Sequence, residues 1–491
     1  MEKYVLAIDQ GTTSTRAMLF NHEGEVKFKA QQEVACLYPF DGWVEQDALD
    51  IFLSVVNVIN DCLAKMNITY DNIDSIGITN QRETTVIFDK ETGMPLYNAI
   101  VWQSRQTVDI CESWKPYEKM VHEKTGLIIN PYFSASKIRF ILDRIENGYE
   151  RAKRGEILFG TIDTRLMYKL SNKKIFKTDY TNASRTMLFN INTLEYDKEL
   201  LKLFKIPQKM LPKVQPSSSF FGYASFLNKK LKIYGVAGDQ QAALFGQNCF
   251  ESGDSKNTYG TGCFMLMNIG DKPILSNNGL ITTIIATADG HVSYALEGSV
   301  FIGGASIQWL RDSLRMINNA SESERYATRV KDSGGVYVVP AFVGLGAPYW
   351  DDACRGAIFG LNRGTTKEHF IQAVLNSIAL QTKDVIKTIE EETNIKLKIL
   401  KVDGGATANN YLMQYQANIL NSKIILPECL ETTSLGVAYL AGLGSGYFKD
   451  LDDIKKIHKI SKEFYPLMEE SERAEIDKKW AKAIEATRVF K

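Results

Sequence analysis

The sequence predicts an α/β protein built from two similar domains that face a shared cleft. The chain has 491 residues, of which 44% are apolar, enough for two or more domains with a large core. A strand, a glycine/threonine turn and a returning strand occur at residues 5–20 and again at residues 256–270. This repeat near the start of each half predicts a domain boundary near residue 250, with domains at 1–250 and 251–491.

The first hairpin combines an acidic residue, a glycine and a run of hydroxyls between two apolar strands. Asp9 and Gly11 precede the hydroxyl residues at 12–15. Glycine lets the backbone approach a ligand, and hydroxyls beside main-chain N–H groups offer donors to a phosphate. Asp9 would suit a magnesium ion carried by that phosphate. Taken alone, the segment fits an ordinary hairpin equally well.

Adjacent charged residues follow a predicted buried strand at 73–78. Arg82 and Glu83 offer donors and acceptors side by side, a combination suited to vicinal hydroxyls. In α/β sheets, ligands lie at such strand ends. The alternative is a surface ion pair of little energetic value.

Asp239 lies between a predicted strand at 232–236 and a predicted helix at 241–245. A carboxylate there is well placed to act as a general base on a bound hydroxyl. The alternative is a helix cap, which the isolated pattern favours. Trp102 and Tyr132 each stand at the edge of an element and, taken alone, are interpreted as structural aromatics.

Glycines in the second half stand where a nucleotide could approach the backbone. Gly304 opens a predicted helix that carries Gln308, and Gly405 follows a predicted strand at 398–402, ahead of a helix near Asn409. Further on, a capping box of Thr365 and Glu368 is predicted to start a long helix. The glycines at 442–446 are interpreted as a helix C-cap, and the remaining chain as charged surface helices.

Composition and missing motifs exclude several classes of protein. Lysine plus arginine and aspartate plus glutamate both number 58, so no net field would draw the chain to nucleic acid or an anionic membrane. No stretch is apolar enough for a signal peptide or a membrane span, and the seven cysteines are scattered without a CxxC pair, which predicts a cytoplasmic protein with reduced thiols. There is no HExxH, GxxxxGK[ST], HRD or DFG motif.

Six segments, in order along nearly the whole chain, resemble the glycerol kinases of the FGGY carbohydrate kinase family. They are AIDQGTTSTR at 7–16, NQRETTV at 80–86, GDQQAALFGQ at 238–247, YGTGCF at 259–264, GLGAPYWDDACRG at 344–356 and DGGATANN at 403–410. The resemblance implies two ribonuclease H-like domains of the actin/hexokinase/Hsp70 ATPase type with a central ligand cleft. It also implies transfer of the ATP γ-phosphate, with Mg²⁺, to glycerol, giving sn-glycerol 3-phosphate for glycerol catabolism and glycerolipid synthesis.

The resemblance further implies a homodimer and a set of site residues. Asp239 would be the general base and Asp9 the carboxylate of the metal site. The polyol pocket would be formed by Arg82, Glu83, Trp102, Tyr132, Asp239, Gln240 and Phe264. The nucleotide would be contacted by Thr12, Thr13, Ser14, Arg16, Thr261, Gly304, Gln308, Gly405 and Asn409.

The chain departs from the family pattern in two places. Segment 224–234 has no glycine where members regulated by fructose 1,6-bisphosphate carry a glycine-rich, arginine-containing loop, so this regulation is predicted to be absent. Phe140 stands three residues after Lys137, where a tryptophan is usual, and is interpreted as a tolerated packing change. Two alternatives stay open: a kinase for another sugar or polyol, and a nucleotide-switched binding protein of the actin or Hsp70 kind.

Overall fold

The computed structural model describes residues 2–226, 229–351 and 353–490. Three of the residues left out bear on the sequence predictions: Leu227 and Asn228 belong to segment 224–234, and Asp352 belongs to the motif at 344–356. These positions, with Met1 and Lys491 at the ends of the predicted domains, lie outside the described residues.

Strands and helices alternate through both halves of the chain. The strands are β1 (Tyr4–Gln10), β2 (Ser14–Phe20), β3 (Val26–Glu33), β4 (Glu45–Gln46), β5 (Ile73–Asn80), β6 (Val86–Asp89), β7 (Ala99–Ile100), β8 (Ile157–Gly160), β9 (Lys177–Asp179), β10 (Phe189–Asn190), β11 (Glu195–Tyr196), β12 (Lys213–Gln215), β13 (Ser218–Phe226), β14 (Lys229–Gly238), β15 (Asp254–Tyr259), β16 (Cys263–Gly270), β17 (Ile281–Ile284), β18 (Tyr294–Val300), β19 (Tyr337–Val339), β20 (Ala357–Phe359), β21 (Ile399–Asp403), β22 (Lys423–Pro427) and β23 (Ile460–Phe464). The α-helices are α1 (Ala48–Met66), α2 (Val108–Trp114), α3 (Glu118–Thr125), α4 (Ser134–Leu142), α5 (Gly148–Arg154), α6 (Ile162–Leu170), α7 (Tyr180–Ala183), α8 (Lys198–Leu203), α9 (Asp239–Gly246), α10 (Ala305–Asp312), α11 (Glu322–Ala327), α12 (Lys367–Thr393), α13 (Asn410–Leu420), α14 (Thr432–Ser445), α15 (Leu451–Ile457) and α16 (Glu470–Val489).

Two mixed sheets carry the same strand pattern. The six-stranded sheet has the order β13-β14-β5-β1-β2-β3, and the seven-stranded sheet has the order β17-β18-β16-β15-β21-β22-β23. In each sheet, three antiparallel strands (β3-β2-β1 and β18-β16-β15) continue into two parallel ones (β5-β14 and β21-β22). The molecule therefore has two ribonuclease H-like domains of the actin/hexokinase/Hsp70 ATPase type, as the family resemblance implies.

Strand register aligns the carboxyl ends of the parallel strands. Gln10 of β1 pairs with Asn80 of β5, and Asn80 aligns with Gly238 of β14. In the second sheet, Thr258 of β15 pairs with Asp403 of β21. Because each strand ends at the same edge as its neighbour, the residues that follow these strands are brought together.

Helices cover both sheets with apolar faces. In α1, Asp47 caps the first turn by accepting a hydrogen bond from the Leu49 N–H at 2.7 Å, as predicted. Helix α14, from the second half of the chain, packs with α9 against the first sheet. The two helices approach so closely that a Cβ on Gly436 would lie 1.8 Å from the Ala242 carbonyl oxygen.

Two predictions about local structure are wrong. The N-cap of α12 is Thr366, not Thr365, and His369 takes the place predicted for Glu368. The Thr365 hydroxyl instead accepts from the Asn362 N–H at 3.0 Å, so it stabilises the preceding turn. Residues 460–464, predicted as helix, form the edge strand β23 on β22. The predicted cap at the end of α14 is confirmed, because Gly446 has a left-handed φ of 83°.

Across residues 2–226, 229–351 and 353–490, no helix has the length and apolarity that a membrane crossing requires.

Candidate active site

A fork of hydrogen bonds holds Arg82 at the carboxyl end of β5. Its Nη1 and Nη2 donate to Oε2 and Oε1 of Glu297 at 2.6 and 2.8 Å, and its Nε lies 3.2 Å from Oδ1 of Asp239. Arg82 is buried, whereas the Asp239 side chain is 31% exposed. The structure thus brings Arg82 and Asp239 together, with Asp239 open to the cleft.

A second arginine completes a buried cluster of four charges. Arg185 donates from Nε to Oε1 of Glu83 at 2.5 Å, and its two terminal nitrogens lie 3.3 Å from the Glu297 carboxylate. Burial would raise the pKa of Glu297, but the guanidinium groups of Arg185 and Arg82 outweigh it and lower that pKa to about 2. Two arginines and two glutamates balance, so the cluster of Arg82, Glu83, Arg185 and Glu297 is neutral. We call it the charge cluster.

Glu83 has a left-handed backbone conformation. Its φ is 61°, which is unfavourable for a residue with a long side chain. The Ser134 and Thr85 hydroxyls donate to the Glu83 carbonyl at 2.9 and 3.0 Å, while Arg185 fixes the side chain. A strained backbone conformation that several surrounding contacts hold in place is typical of functional sites.

Three aromatic rings stand beside the charge cluster. The Trp102 ring lies edge-on to Tyr132 at 5.5 Å between centroids, and edge-on to Phe264 of the second sheet at 6.4 Å. Arg185 connects the rings with the charges, because its Cζ lies 5.5 Å from the Tyr132 ring centroid. An apolar wall next to fixed charges is suited to a small molecule with a carbon backbone and several hydroxyls.

A buried lysine supports Gln240, the residue after Asp239. The Lys256 ammonium donates to Oε1 of Gln240 and, at 2.9 Å, to the Thr258 hydroxyl. Gln240 in turn directs its N–H at Oδ1 of Asp239, at 2.7 Å. Burial lowers the pKa of Lys256, while the Asp403 and Asp239 carboxylates oppose that change. Gln240 is therefore held between a cation of the second sheet and Asp239.

The first glycine/threonine turn is tied to the aromatic wall and to β5. The Trp102 indole N–H donates to the Thr12 hydroxyl at 2.9 Å, and Gln46 donates to the Thr12 carbonyl at 2.6 Å. Gln81 bridges the Gln46 and Gln10 side chains. Thr13 is exposed and Ser14 half-buried, so donors of this turn face solvent.

Asp9 fits a cation at this turn. Its carboxylate is buried, 3.5 Å from a terminal nitrogen of Arg16. Burial raises the pKa of Asp9 to about 6, with Arg16 lowering it and Asp239 raising it further. Three or more His, Cys, Asp or Glu side chains do not converge anywhere in the described part of the chain. A metal ion held by Asp9 would need its other ligands from water or phosphate oxygens.

The second turn packs against the start of α10 and the end of β21. The N–H groups of Gly304 and Ala305 donate to the Gly260 and Thr261 carbonyls at 2.8 and 3.0 Å. A Cβ on Gly404 would lie 2.5 Å from the Tyr259 carbonyl oxygen, so this glycine permits the close approach. These contacts bring Thr261, Gly304 and the segment after β21 close together.

The remaining predicted nucleotide residues differ in exposure. Gln308 and Gly405 are exposed, and a Cβ on Gly405 would meet nothing within 4 Å. Asn409 is buried and caps α13: its Oδ1 accepts from the Leu412 N–H at 2.9 Å and its Nδ2 donates to the Ser323 hydroxyl at 3.1 Å. Gln308 and Gly405 are therefore accessible to a ligand, whereas the Asn409 amide already has hydrogen-bond partners within the protein.

Sequence reasoning missed Glu297, Arg185 and Lys256. Glu297 carries a signal that could have revealed it, because it is a lone carboxylate in the otherwise apolar or small segment YALEGSV at 294–300. Arg185 follows a short helix in a polar segment and carries no such signal. Lys256 resembles any strand-edge lysine until its burial is known.

The chain matches the two domain models of one family and a solved structure along its length. Residues 4–246 match the N-terminal domain of the FGGY family of carbohydrate kinases, and residues 255–445 match its C-terminal domain. The glycerol kinase of Plasmodium falciparum, solved with ADP, is 34% identical, with 99% of this chain and 98% of that chain covered and a TM-score of 0.94.

Two further solved structures share the fold at lower identity. The gluconate kinase and the ligand-bound xylulose kinase of Lactobacillus acidophilus are each 23% identical, with TM-scores of 0.88 and 0.87. Each match covers 99% of this chain, and 98% and 97% of the respective neighbours. With both family domains matched in order and the charge cluster at their junction, this chain belongs to the FGGY family of carbohydrate kinases.

Proposed function

We propose that this protein phosphorylates glycerol at a terminal hydroxyl, using ATP and Mg²⁺ and producing sn-glycerol 3-phosphate. The observation that carries the proposal is the site in which Arg82 and Asp239 stand beside the Trp102, Tyr132 and Phe264 rings. The 34% identity to a glycerol kinase over nearly the full length supports the same substrate.

The geometry suits a small triol. Arg82 and Glu83 are immobilised by partners inside the charge cluster, so they offer a fixed donor and acceptor. The aromatic wall would cover the carbon backbone of glycerol and exclude water that could otherwise accept the phosphoryl group.

Asp239 would accept the proton of the attacking hydroxyl. Its Oδ1 accepts from the Gln240 backbone N–H and lies 3.2 Å from Nε of Arg82. Its Oδ2 has only a long hydrogen bond, 3.4 Å, from the Gln240 side-chain amide, so Oδ2 would be the oxygen that takes the glycerol proton. Because phosphoryl transfer needs little covalent assistance, positioning of the reactants and charge neutralisation by Mg²⁺ and the glycine/threonine turns would contribute most to the rate.

Residues of the two turns would hold the nucleotide. Thr12, Thr13, Ser14 and Arg16 would contact the nucleotide from the first domain. Thr261, Gly304, Gln308, Gly405 and Asn409 would contact it from the second domain, which would hold both a phosphate turn and the adenosine site. Asp9 would hold Mg²⁺, which supplies charge neutralisation at the phosphates when bound. Of these, Asn409 would need to share an amide that already has protein partners.

Four sequence expectations continue as proposals: a domain boundary at 250/251, a homodimer, a cytoplasmic location, and no control by fructose 1,6-bisphosphate. Separate expression of residues 1–250 and 251–491 tests the boundary, and sedimentation of the full chain tests the homodimer. Localisation of a tagged chain tests the cytoplasmic location, and activity with added fructose 1,6-bisphosphate tests the absence of that control.

The deciding experiment measures ATP consumption by the purified chain with Mg²⁺, with and without glycerol, for the wild type and Asp239→Ala. We expect glycerol-dependent turnover that falls by about 10²–10⁴-fold in the variant, while ADP still binds. Xylulose, gluconate and other polyols are assayed in parallel. If the protein phosphorylates one of these compounds but not glycerol, that compound replaces glycerol as the proposed substrate. ATP consumption that no polyol changes would favour a nucleotide-switched binding protein.

A further inference from the structure

Glu297 is a buried carboxylate that the second sheet contributes to the polyol site. It lies on β18, where it pairs with Leu266 of β16 on one side and Ile281 of β17 on the other. Burying a carboxylate is costly unless it is paired and fully hydrogen-bonded. The hydrogen-bonding partners of Glu297 therefore allow β18 to carry a buried charge.

Those partners are both arginines of the charge cluster, and both come from the first half of the chain. Oε1 and Oε2 each accept from Arg82, at 2.8 and 2.6 Å, and each lies 3.3 Å from a terminal nitrogen of Arg185. The fork to Arg82 is bidentate, so it fixes the plane of the guanidinium as well as its position.

The fork also determines which nitrogen of Arg82 faces the predicted base. With Nη1 and Nη2 directed at Glu297, Nε is the guanidinium nitrogen in ion-pair contact with Asp239, 3.2 Å from its Oδ1. If the guanidinium rotated, the donor directed at Asp239 and at a bound hydroxyl would change. Gln241 supports the same orientation by accepting from Nη1 at 3.2 Å.

We propose that Glu297 is a positioning residue that makes the polyol site depend on the second domain, by orienting Arg82 toward Asp239 and the substrate hydroxyl. The proposal rests on the proposed polyol kinase function. Glu297 acts through Arg82 and does not touch the reacting atoms. A domain movement that displaced β18 would release Arg82, so the site would be complete only when both sheets are in place.

The test compares wild type with Glu297→Gln and Glu297→Asp in the full chain. Gln keeps the shape and removes the charge, whereas Asp keeps the charge but is too short to hold the fork. Asp384→Asn is the control, because Asp384 is a half-buried carboxylate of the second half, where it accepts from the Trp480 indole at 2.7 Å. Each variant is first checked for a wild-type circular dichroism spectrum.

We expect kcat/KM for glycerol to fall at least about 100-fold in Glu297→Gln and at least about tenfold in Glu297→Asp, as for a displaced positioning group. The Kd for ADP, from calorimetry, should stay within about threefold of wild type. Asp384→Asn should keep kcat and KM within about twofold. A loss of ADP binding equal to the loss of glycerol turnover would indicate a structural role and overturn the proposal.

Two outcomes separate this inference from the proposed function. If the wild type turns over another polyol but not glycerol, the substrate is wrong, and the variants are measured with that polyol. If the wild type turns over glycerol and folded Glu297→Asp matches it in kcat and KM, the positioning role is wrong while the function stands. Should Glu297→Gln not fold, Glu297→Asp decides alone.

Discussion

Trp102 joins the proposed polyol pocket to the proposed phosphate turn through one hydrogen bond. Its indole N–H donates to the Thr12 hydroxyl at 2.9 Å, while its ring faces Tyr132 and Phe264. A side chain with an apolar face and one donor can serve both sites at once. The Thr12 hydroxyl is thereby fixed before any nucleotide binds.

Trp102→Phe is expected to weaken the use of both substrates. One lost hydrogen bond contributes about 0.5–1.5 kcal/mol, so kcat/KM should fall by about 2- to 10-fold for glycerol and for ATP alike. Steady-state kinetics with each substrate varied in turn measures both effects. Trp480→Phe, which removes an indole bond to Asp384 in another region, is the control. A fall in kcat/KM for glycerol with an unchanged kcat/KM for ATP would contradict the proposed link between the polyol pocket and the phosphate turn.

Functional residues at strand ends could be predicted from the sequence. The oppositely charged residues that pair with them could not. Arg82 and Asp239 each follow a recognisable buried strand, and the structure brings them within 3.2 Å. Glu297 lies 215 positions from Arg82 in the chain. Nothing local specifies that pairing, because it arises only when two separately folded sheets meet.

The first turn of helix α6 contains a buried acid outside the site. The Thr161 and Thr178 hydroxyls donate to the two Asp163 oxygens at 2.5 and 2.7 Å, and no cation is among these contacts. Burial, with the Asp179 carboxylate, raises the pKa of Asp163 to about 7. The folded state therefore binds a proton that the unfolded state, with a pKa near 3.8, releases.

Asp163→Asn is expected to stabilise the protein at pH 8. The native pKa is raised, so the wild type carries the full cost of the charge above about pH 7 and regains stability as the pH falls toward about 4. The advantage of the variant should thus shrink between pH 8 and pH 5. Thermal midpoints over that range measure it, with exposed Asp452→Asn as the control. A lower midpoint for Asp163→Asn at pH 8 would refute the argument.

Contact between α9 and α14 depends on glycine. Gly436→Ala would place a methyl group 1.8 Å from the Ala242 carbonyl oxygen, so the helices must separate. We expect a loss of about 1–3 kcal/mol in the free energy of unfolding. Because α9 begins at Asp239, kcat should also fall at least about tenfold.

Chemical denaturation and steady-state kinetics measure the two effects of Gly436→Ala. Gly405→Ala serves as the control for stability, because its Cβ would meet nothing within 4 Å. Equal stability of Gly436→Ala and wild type would mean that the helices separate at no cost, against the packing argument. A stable variant with reduced kcat would mean that the substitution displaces Asp239 without affecting the stability of the fold.

At the scale of elements, helix starts were predictable where a capping residue acts on its own first turn, as Asp47 does. The predicted start of α12 was one residue too early. Glu368 favours Thr365 as the N-cap by the capping-box pattern, but Thr365 accepts from the Asn362 N–H instead, and Thr366 with His369 forms the box. The packing of α14 on the first sheet could not be predicted, since an apolar helix fits either sheet.

At the scale of the molecule, the repeated turn predicted two similar domains and a cleft, and the two sheets confirm the fold. The site itself takes groups from both sheets: Arg82 and Asp239 follow strands of the first, and Phe264 and Glu297 lie on strands of the second. Glycerol bound there would therefore hold the two domains in one arrangement.

Glycerol and ADP are accordingly expected to bind with positive coupling. The factor by which saturating glycerol lowers the Kd for ADP should equal the factor by which ADP lowers the Kd for glycerol, because the coupling is reciprocal at equilibrium. Calorimetry in both orders measures it. Phe264→Ala removes the ring that the second sheet presents to Trp102, so the coupling factor should fall toward one while ADP alone binds as before. Phe220→Ala, at an exposed ring on edge strand β13, should keep the wild-type factor. If Phe264→Ala kept the full coupling, the domains would communicate by another route.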